Sequence, residues 1–344
     1  MTWLVRPVAG AALLWVALAG VAGWGLASGE ARQGQIIVFF VNATIVVALQ
    51  LFSGNSGVLS LGHLAFVGLG AYTAGVLMLD PALKEQLTGL PGFVQDSRLS
   101  LVPALAVAGA VAGLVALVVG LPIVRLSGAG AVIAIFSLVL IANVVFANWT
   151  SVTRGAGGLY AVPFVTSVAA AFGLAAASVL VARVFKDSAP GIELQASRED
   201  ELAAPAVGVP VRRLRLLAWV LSAVLAGIAG GLLAGYLTAF GPANFYLQQT
   251  FILIVMFIVG GMATVTGAVV GAALVTLVQE WLRGYESRSL DLGIVHFGRL
   301  TGLVQIVLVA MILGVMYFRR EGLVGRHELD ESLEQLRRRW RTGQ

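Results

Sequence analysis

The stretch RLLAWVLSAVLAGIAGGLLAGYLTAF, residues 215–240, decides the fold class of this chain. Its only charged side chain is Arg215, at the first position. A helix of about 20 apolar residues spans the hydrocarbon core of a bilayer, so the stretch predicts a transmembrane helix. The rest of the chain has the same character, since 59% of its 344 residues are hydrophobic and 11% are charged. Soluble domains carry about twice that charged fraction, so we predict a polytopic membrane protein.

Small residues recur every fourth position in this stretch, in two neighbouring rows. One row is Ser222, Ala226, Gly230 and Ala234, and the other is Ala223, Gly227, Gly231 and Gly235. Small side chains let helix backbones approach closely in lipid. We therefore predict an intramolecular helix-packing face that includes Gly227, Gly231 and Gly235. The alternative is that the face lines a substrate path.

Continuous apolar runs elsewhere predict an all-α integral membrane protein with about ten transmembrane or partly re-entrant helices. The runs do not alternate as barrel strands do, so strands are not expected. The predicted spans are 8–28, 36–53, 62–80, 101–122, 130–149, 163–185, 215–240, 247–262, 265–282 and 299–318. We take residues 1–318 as one transmembrane domain.

The distribution of Lys and Arg predicts the orientation. With the N-terminus in the cytoplasm, cytoplasmic segments hold 15 of the 22 basic residues and the opposite side holds 7. Both termini are therefore expected in the cytoplasm, and the basic charge indicates topology without requiring nucleic acid. Residues 319–344 form a cytoplasmic tail in which Leu329, Leu333, Leu336 and Trp340 share one helical face. Such a helix would lie on the membrane lipid or dock a protein.

The spans hold few ionisable groups, and this excludes several function classes. Ion-coupled transporters and voltage sensors usually carry buried charges, which these spans lack away from their ends. Neither lysine of the chain follows a glycine-rich phosphate loop, so we expect no ATPase site. The chain has no cysteine, and no cluster suggests an enzyme, a bound metal or a cofactor. Energy for uphill transport would come from a partner.

Two glycine-rich breaks interrupt the apolar runs near the predicted cytoplasmic face, at 54–63 and 260–267. Irregular backbone at membrane depth is tolerated where it is buried in protein or lines water. The first break could dip into the bilayer or form an inner gate, with Ser60 able to cap a helix from about residue 61. For His63 alone, a structural role is the alternative. The candidate pathway or gate residues are Ser60, Gly62, His63, Asn143, Thr264 and Thr266.

The longest internal cytoplasmic segment, 186–214, predicts a short helix parallel to the membrane. Ser197 and Asp200 resemble a capping box at its start, and Gly208 and Pro210 would end it. By composition alone, a solvated connector remains the alternative.

This segment resembles the coupling helix of permeases of ATP-binding-cassette (ABC) importers, in which Glu-Ala-Ala, three residues and Gly dock into the ATPase. The chain as a whole is similar to the LivM-type permeases of branched-chain amino acid importers. The motifs that carry this similarity are SLGHLAFVGLGAYTAG (60–75), LPIVRLSG (121–128), TRGAGGL (153–159), the loop 197–219, GGMATVTGAVVGA (260–272) and YFRREGLVG (317–325). The similarity covers about residues 36–325.

The resemblance implies an importer subunit in a bacterial inner membrane that pairs with a second homologous permease, two cytoplasmic ABC ATPase subunits and a periplasmic or lipid-anchored binding protein. ATP would be hydrolysed by those partners, and no cofactor would be bound by this chain. The expected coupling residues are Arg198, Glu199, Asp200, Glu201, Ala203, Ala204 and Gly208. Pro205 inside this segment, Arg154 and Ala263 at usual glycines, and Ala268 at a usual proline depart from the pattern. Branched-chain amino acids are the expected substrates; urea or short amides, or a stand-alone facilitator, are the alternatives.

Overall fold

The computed structural model describes residues 5–201, 203–286, 290–291, 296–297, 302–325 and 328–329 of the chain. The described part is almost entirely helical. Its helices are α1 (Val5–Leu26), α2 (Glu30–Leu49), α3 (His63–Met78), α4 (Pro81–Lys84), α5 (Gly92–Gln95), α6 (Leu101–Ile123), α7 (Gly128–Asn148), α8 (Thr150–Thr153), α9 (Val168–Asp187), α10 (Ala189–Glu199), α11 (Val211–Leu237), α12 (Leu247–Gly260), α13 (Val265–Glu286) and α14 (Leu303–Phe318).

Shorter elements complete the fold. A π-helical turn, Gln50–Gly54, extends α2, and 3₁₀ turns occupy Gly155–Gly157, Ala204–Val207 and Pro242–Phe245. Two antiparallel strands of two residues each, β1 (Leu290–Asp291) and β2 (His296–Phe297), form the one hairpin of the described residues.

Seven helical segments are long and apolar enough to cross a membrane, which supports a multi-pass membrane protein. Three further apolar helices, Gly10–Leu26, His63–Met78 and Leu303–Phe318, are shorter. An apolar helix therefore lies at each of the ten predicted runs, but only seven meet the length for a full crossing, and the count of ten spans stays a prediction. Of the predicted tail, only Leu329 among the four apolar residues lies within the described part of the chain.

Helix α11 lies at the centre of the bundle, between α3 and α6. A Cβ on Gly230 would meet the carbonyl oxygen of Val67 in α3, and one on Gly70 would meet that of Gly227. On the neighbouring face, Gly227 lies against Ala112 in α6. Glycine is required at these positions because backbone atoms of the neighbouring helices occupy the space of a side chain.

At the end of the bundle opposite the 186–214 loop, the extended chain around Leu159 pairs with Phe240 through two 2.9 Å backbone hydrogen bonds. Arg154 lies in the turn just before it with φ +61°, a backbone conformation that favours glycine. Its guanidinium compensates by stacking 4.0 Å from the centre of the Tyr160 ring and by donating to the Leu83 carbonyl. Arg154, at a position where glycine is usual, therefore still adopts the left-handed backbone conformation.

Candidate functional site

The turn between α2 and α3 is held by a buried chain of hydrogen bonds centred on His63. Ser60 Oγ lies 2.5 Å from His63 Nδ1, and Ser222 Oγ lies 2.9 Å from His63 Nε2. Because Ser222 donates its own proton to the Trp219 carbonyl, it accepts from Nε2–H, and Ser60 donates to Nδ1. This geometry assigns the neutral imidazole. The histidine therefore ties the polar turn to α11.

Helix α3 begins well inside the bundle. His63 contacts Ser222, which lies eleven residues after Val211, about 16 Å along the axis of α11. The first break therefore reaches into the interior of the bundle, beside the middle of α11. The expectation that Ser60 caps α3 is wrong: Gly62 occupies the N-cap position with no side-chain cap, and the Ser60 hydroxyl is bound to His63. Gly62 is needed because a Cβ would meet the Ile135 carbonyl of α7.

The π-helical turn before the break contains a buried amide that lacks partners. Gln50 is fully buried, and neither its Nε2 nor its Oε1 has a hydrogen-bond partner among the described residues. Its side chain lies over Gly54, and a Cβ on Gly54 would be 2.5 Å from the Met262 carbonyl oxygen. π-turns often occur at functional sites, and a buried unpaired amide destabilises the conformation that contains it. The first break therefore packs directly on the second.

The second break is a turn at 261–264 between α12 and α13. Thr264 Oγ1 accepts from Gly267 N and caps α13, and Thr266 Oγ1 donates to Glu328. Both threonines are buried, and Lys186 Nζ donates to the Ala263 carbonyl. The two predicted pathway hydroxyls thus hold the start of α13 in place.

A buried carboxylate organises this region, and sequence reasoning missed it. Glu328 is 1% exposed and accepts from the backbone amides of Val265 and Thr266 at the positive end of α13. Lys186 Nζ lies 2.6 Å and Arg183 Nη1 3.1 Å from its oxygens. Burial alone would raise the pKa of Glu328, but Lys186 and then Arg183 outweigh burial and hold the pKa at about 2. The sequence feature that could indicate this site is the pair of basic residues, Arg183 and Lys186, at the end of α9.

The 186–214 loop contains a helix, but α10 ends at Glu199, just after the predicted start at Ser197, and Ala204–Val207 is a 3₁₀ turn, so the predicted bounds were wrong. Ser188, whose hydroxyl accepts from Gly191 N, is the N-cap of α10, whereas Ser197 lies inside the helix and donates to the Leu194 carbonyl. The capping-box prediction was wrong because a stronger Ser-x-Pro start precedes it. Pro205 lies in the first turn of the 3₁₀ segment, where no amide is required, so it does not bend a helix.

The predicted coupling residues divide between the surface and the bundle. The side chain of Glu199 is 80% exposed, and Val207, which was not predicted, is 81% exposed at the tip of the loop. Asp200 Oδ1 accepts from Ala203 N, Ala204 is buried, and Gly208 ends the 3₁₀ turn with φ +87°. A left-handed residue at this point favours glycine.

Arg198 joins this loop to the first break. Its Nη1 donates to the Gly54 carbonyl at 3.0 Å, and its aliphatic stem packs where a Cβ on Gly57 would lie. A cavity of about 470 Å³ opens beside this contact and is lined by Ser53, Gly57, Leu59, Arg198, Phe257, Ile258, Met262, Ala263, Arg320 and Glu321. The cavity thus touches α10, both breaks and the segment after α14, and it is the candidate site.

Asn143 stands apart from this cluster. Its Nδ2 donates to the Pro242 carbonyl at 3.0 Å, near the end of the bundle where Leu159 pairs with Phe240. The structure therefore brings Ser60, Gly62 and His63 together at the first break and Thr264 and Thr266 at the second, and it places Asn143 elsewhere.

Comparison with known proteins identifies the family of the chain. The family described as "Branched-chain amino acid transport system / permease component" matches residues 33–316. The chain belongs to this permease family. A LivM protein of Escherichia coli, described as a "High-affinity branched-chain amino acid transport system permease protein", is 25% identical over 278 residues, which cover 71% of this chain and 62% of that protein. The LivM protein of Salmonella typhimurium matches with the same identity and coverage.

Another relative matches over a shorter region. A "Probable branched-chain amino acid transport permease protein LivH" of Methanocaldococcus jannaschii is 32% identical over 125 residues, 36% of this chain and 38% of that protein. The matched region spans less than two thirds of the length of each of these relatives. No solved structure matches the chain. The family match and the seven long apolar segments support a multi-pass membrane permease.

Proposed function

We propose that this chain is the membrane permease subunit of an ABC importer for branched-chain or related small amino acids, powered by separate ATPase subunits. The family supports the importer class, and the printed descriptions of the relatives supply the substrate class. The observation that supports the coupling is the Arg198–Gly54 hydrogen bond, which connects α10, in the loop predicted to be cytoplasmic, to the first break.

The proposed mechanism follows from what the two faces of α10 touch. The exposed face, which includes Glu199, and Val207 in the 3₁₀ turn that follows α10 are accessible to a partner. The other face of α10 reaches Gly54 through Arg198 and, through Gln195, the carbonyl of Lys186. A displacement of α10 by ATPase closure would therefore act on both breaks at once.

We infer that the first break, 54–63, moves between two positions during transport. Its backbone packs through glycines, and the Gln50 side-chain amide has no hydrogen-bond partner among the described residues. A state in which the turn moves away from Met262 would give that amide a partner, such as water or the substrate. Coupling requires that ATPase closure favours one of two such arrangements of the turn.

Reconstitution tests the proposal against a stand-alone facilitator. The full chain is placed in proteoliposomes alone, with its copurifying subunits, and with those subunits plus ATP, and uptake of labelled leucine, urea and acetamide is measured. We expect leucine accumulation only in the complete, ATP-supplied system. Accumulation or equilibration of substrate at the same rate by the chain alone would overturn the proposal, and ATP-dependent uptake of urea or acetamide in place of leucine would reassign the substrate.

A further inference from the structure

A cavity of about 490 Å³, the arginine pocket, lies at the start of α11 on the side facing the turn between α6 and α7. Its charged lining consists of four arginines, Arg125, Arg212, Arg213 and Arg215, and one carboxylate, Glu201. Glu201 is already bound, because Arg215 Nη1 donates to its Oε1 at 2.7 Å. That hydrogen bond from Arg215 lowers the pKa of Glu201, so the carboxylate stays charged at neutral pH. Three positive charges remain without a counterion in the lining.

The backbone adds to this positive charge. Helix α11 is 27 residues long and starts at Val211, with no acidic residue in its first turn and no side-chain cap from Pro210. The N-terminus of a helix carries a partial positive charge, which arginines nearby oppose and an anion stabilises. The positive charges of arginines at this end of a helix are therefore unfavourable unless an anion lies among them.

A buried donor points to the same conclusion. Arg215 is 4% exposed and lines the pocket, yet its Nε has no hydrogen-bond acceptor among the described residues. Arg125, Arg212 and Arg213 form no ion pair with any described residue, although they lie around one cavity. A buried donor without an acceptor costs free energy that a bound anion would recover.

The surroundings of the pocket identify the kind of anion. Leu121, Leu126 and Leu217 beside it are 50%, 42% and 43% exposed, and α6 and α7 are the least buried of the seven long apolar segments. Guanidinium groups form paired hydrogen bonds with phosphate oxygens. We propose that the arginine pocket binds a phosphate group, and the exposed leucines favour the headgroup of an anionic membrane lipid as its source over free phosphate.

Although Glu201 of the coupling loop lines the pocket, the test is independent of the coupling proposal, since it uses the chain without ATPase. The full chain is purified in a neutral detergent and titrated with dioleoylphosphatidylglycerol, with dioleoylphosphatidylcholine, and with sodium phosphate at constant ionic strength. Binding is measured by native mass spectrometry and by the shift in Tm. The test variant is Arg212→Gln/Arg213→Gln. The control is Arg319→Gln/Arg320→Gln, which removes the same charge after α14.

We expect the wild-type chain and the control to bind one phosphatidylglycerol per chain, with Tm raised by the lipid. The test variant should bind it about tenfold to hundredfold more weakly, the loss expected for hydrogen bonds to charged groups. Saturable binding of sodium phosphate at the same residues would support the site and name free phosphate as the source. Equal lipid and phosphate binding by test and control variants would overturn the proposal, as would equal binding of phosphatidylcholine. Unchanged lipid binding in a test variant that fails to assemble with the ATPase would instead make the arginines a protein contact and overturn it.

Discussion

The Glu328 cluster gives the sharpest stability prediction. In Glu328→Gln the neutral side chain keeps the shape of the original, but Arg183 and Lys186 lose the carboxylate that lies 3.1 and 2.6 Å away. Arg183 and Glu328 have side chains only 3% and 2% exposed, so the cations cannot regain full hydration. Removing one partner of a buried ion pair costs about 3 to 5 kcal/mol. The loss should be near the upper end, because Glu328 also accepts from two amides of α13.

The assay is thermal unfolding of the purified chain in detergent, with Glu199→Gln as a control at a carboxylate whose side chain is 80% exposed. Glu328→Gln should lower Tm by several degrees and Glu199→Gln should leave it unchanged within error. Adding Lys186→Gln to Glu328→Gln should restore part of the loss, since it removes one unpaired cation, and the double-mutant cycle measures the coupling. Equal Tm values for Glu328→Gln and Glu199→Gln would refute the reasoning.

The lowered pKa of Glu328 predicts how the Tm values of the wild type and of Glu328→Gln change with pH. The folded-state pKa of Glu328 is about 2, below the ordinary value of 4.5. Its ionised form therefore contributes stability above about pH 4.5, and that contribution is lost as the pH falls toward 2. The difference in Tm between wild type and Glu328→Gln should shrink over that range. A difference that grows as the pH falls would contradict the assignment.

Three other substitutions test separate parts of the fold, each by Tm in detergent. Gly230→Ala places a Cβ against the Val67 carbonyl and should lower the stability of the fold by about 1 to 3 kcal/mol. Its control, Gly20→Ala, has no atom within 4 Å of the new Cβ and should be neutral or mildly stabilising. Equal effects of the two substitutions would count against the α3–α11 contact. Ser222→Ala leaves His63 Nε2–H buried without an acceptor and should lower the stability of the fold by about 1 to 3 kcal/mol. Ser137→Ala, at an exposed hydroxyl, is the control and should lower it little. An unchanged Tm in Ser222→Ala would contradict the hydrogen bond between His63 and α11. Gln50→Leu removes an unpaired buried amide and should raise Tm while lowering transport, and a fall in Tm would show that the amide has a partner in this state.

Sequence reasoning located the helices well because the apolar runs are continuous. The run at 215–240 became α11, and its two rows of small residues lie at its contacts with α3 and α6. The lengths of the helices were harder to predict from the sequence. α3 is only 16 residues long because a polar turn inside the bundle precedes it, and periodicity cannot locate such a helix start in a run that is apolar throughout.

The candidate site could be predicted from the sequence only in part. The glycines at 54–62 and the polar residues of the loop marked the two regions that the structure joins, but nothing in the sequence pairs Arg198 with Gly54. Glu328 was missed because its partners lie about 140 positions earlier in the chain, and long-range pairing of charges is not encoded in local pattern. Ser197 was wrongly assigned as a helix start because a capping box is a local pattern, and Ser188 with Pro190 supplies a better one.

The link from α10 to the first break is tested most directly by Arg198→Ala in the reconstituted complex, with Arg98→Ala, an exposed arginine paired with Asp80 outside the coupling region, as control. Uptake and ATP hydrolysis are measured in the same proteoliposomes. Loss of the hydrogen bond from a charged donor to the Gly54 carbonyl should reduce uptake about tenfold in Arg198→Ala while ATP hydrolysis continues, and Arg98→Ala should transport normally. Wild-type uptake by Arg198→Ala at an unchanged rate of ATP hydrolysis would contradict the account.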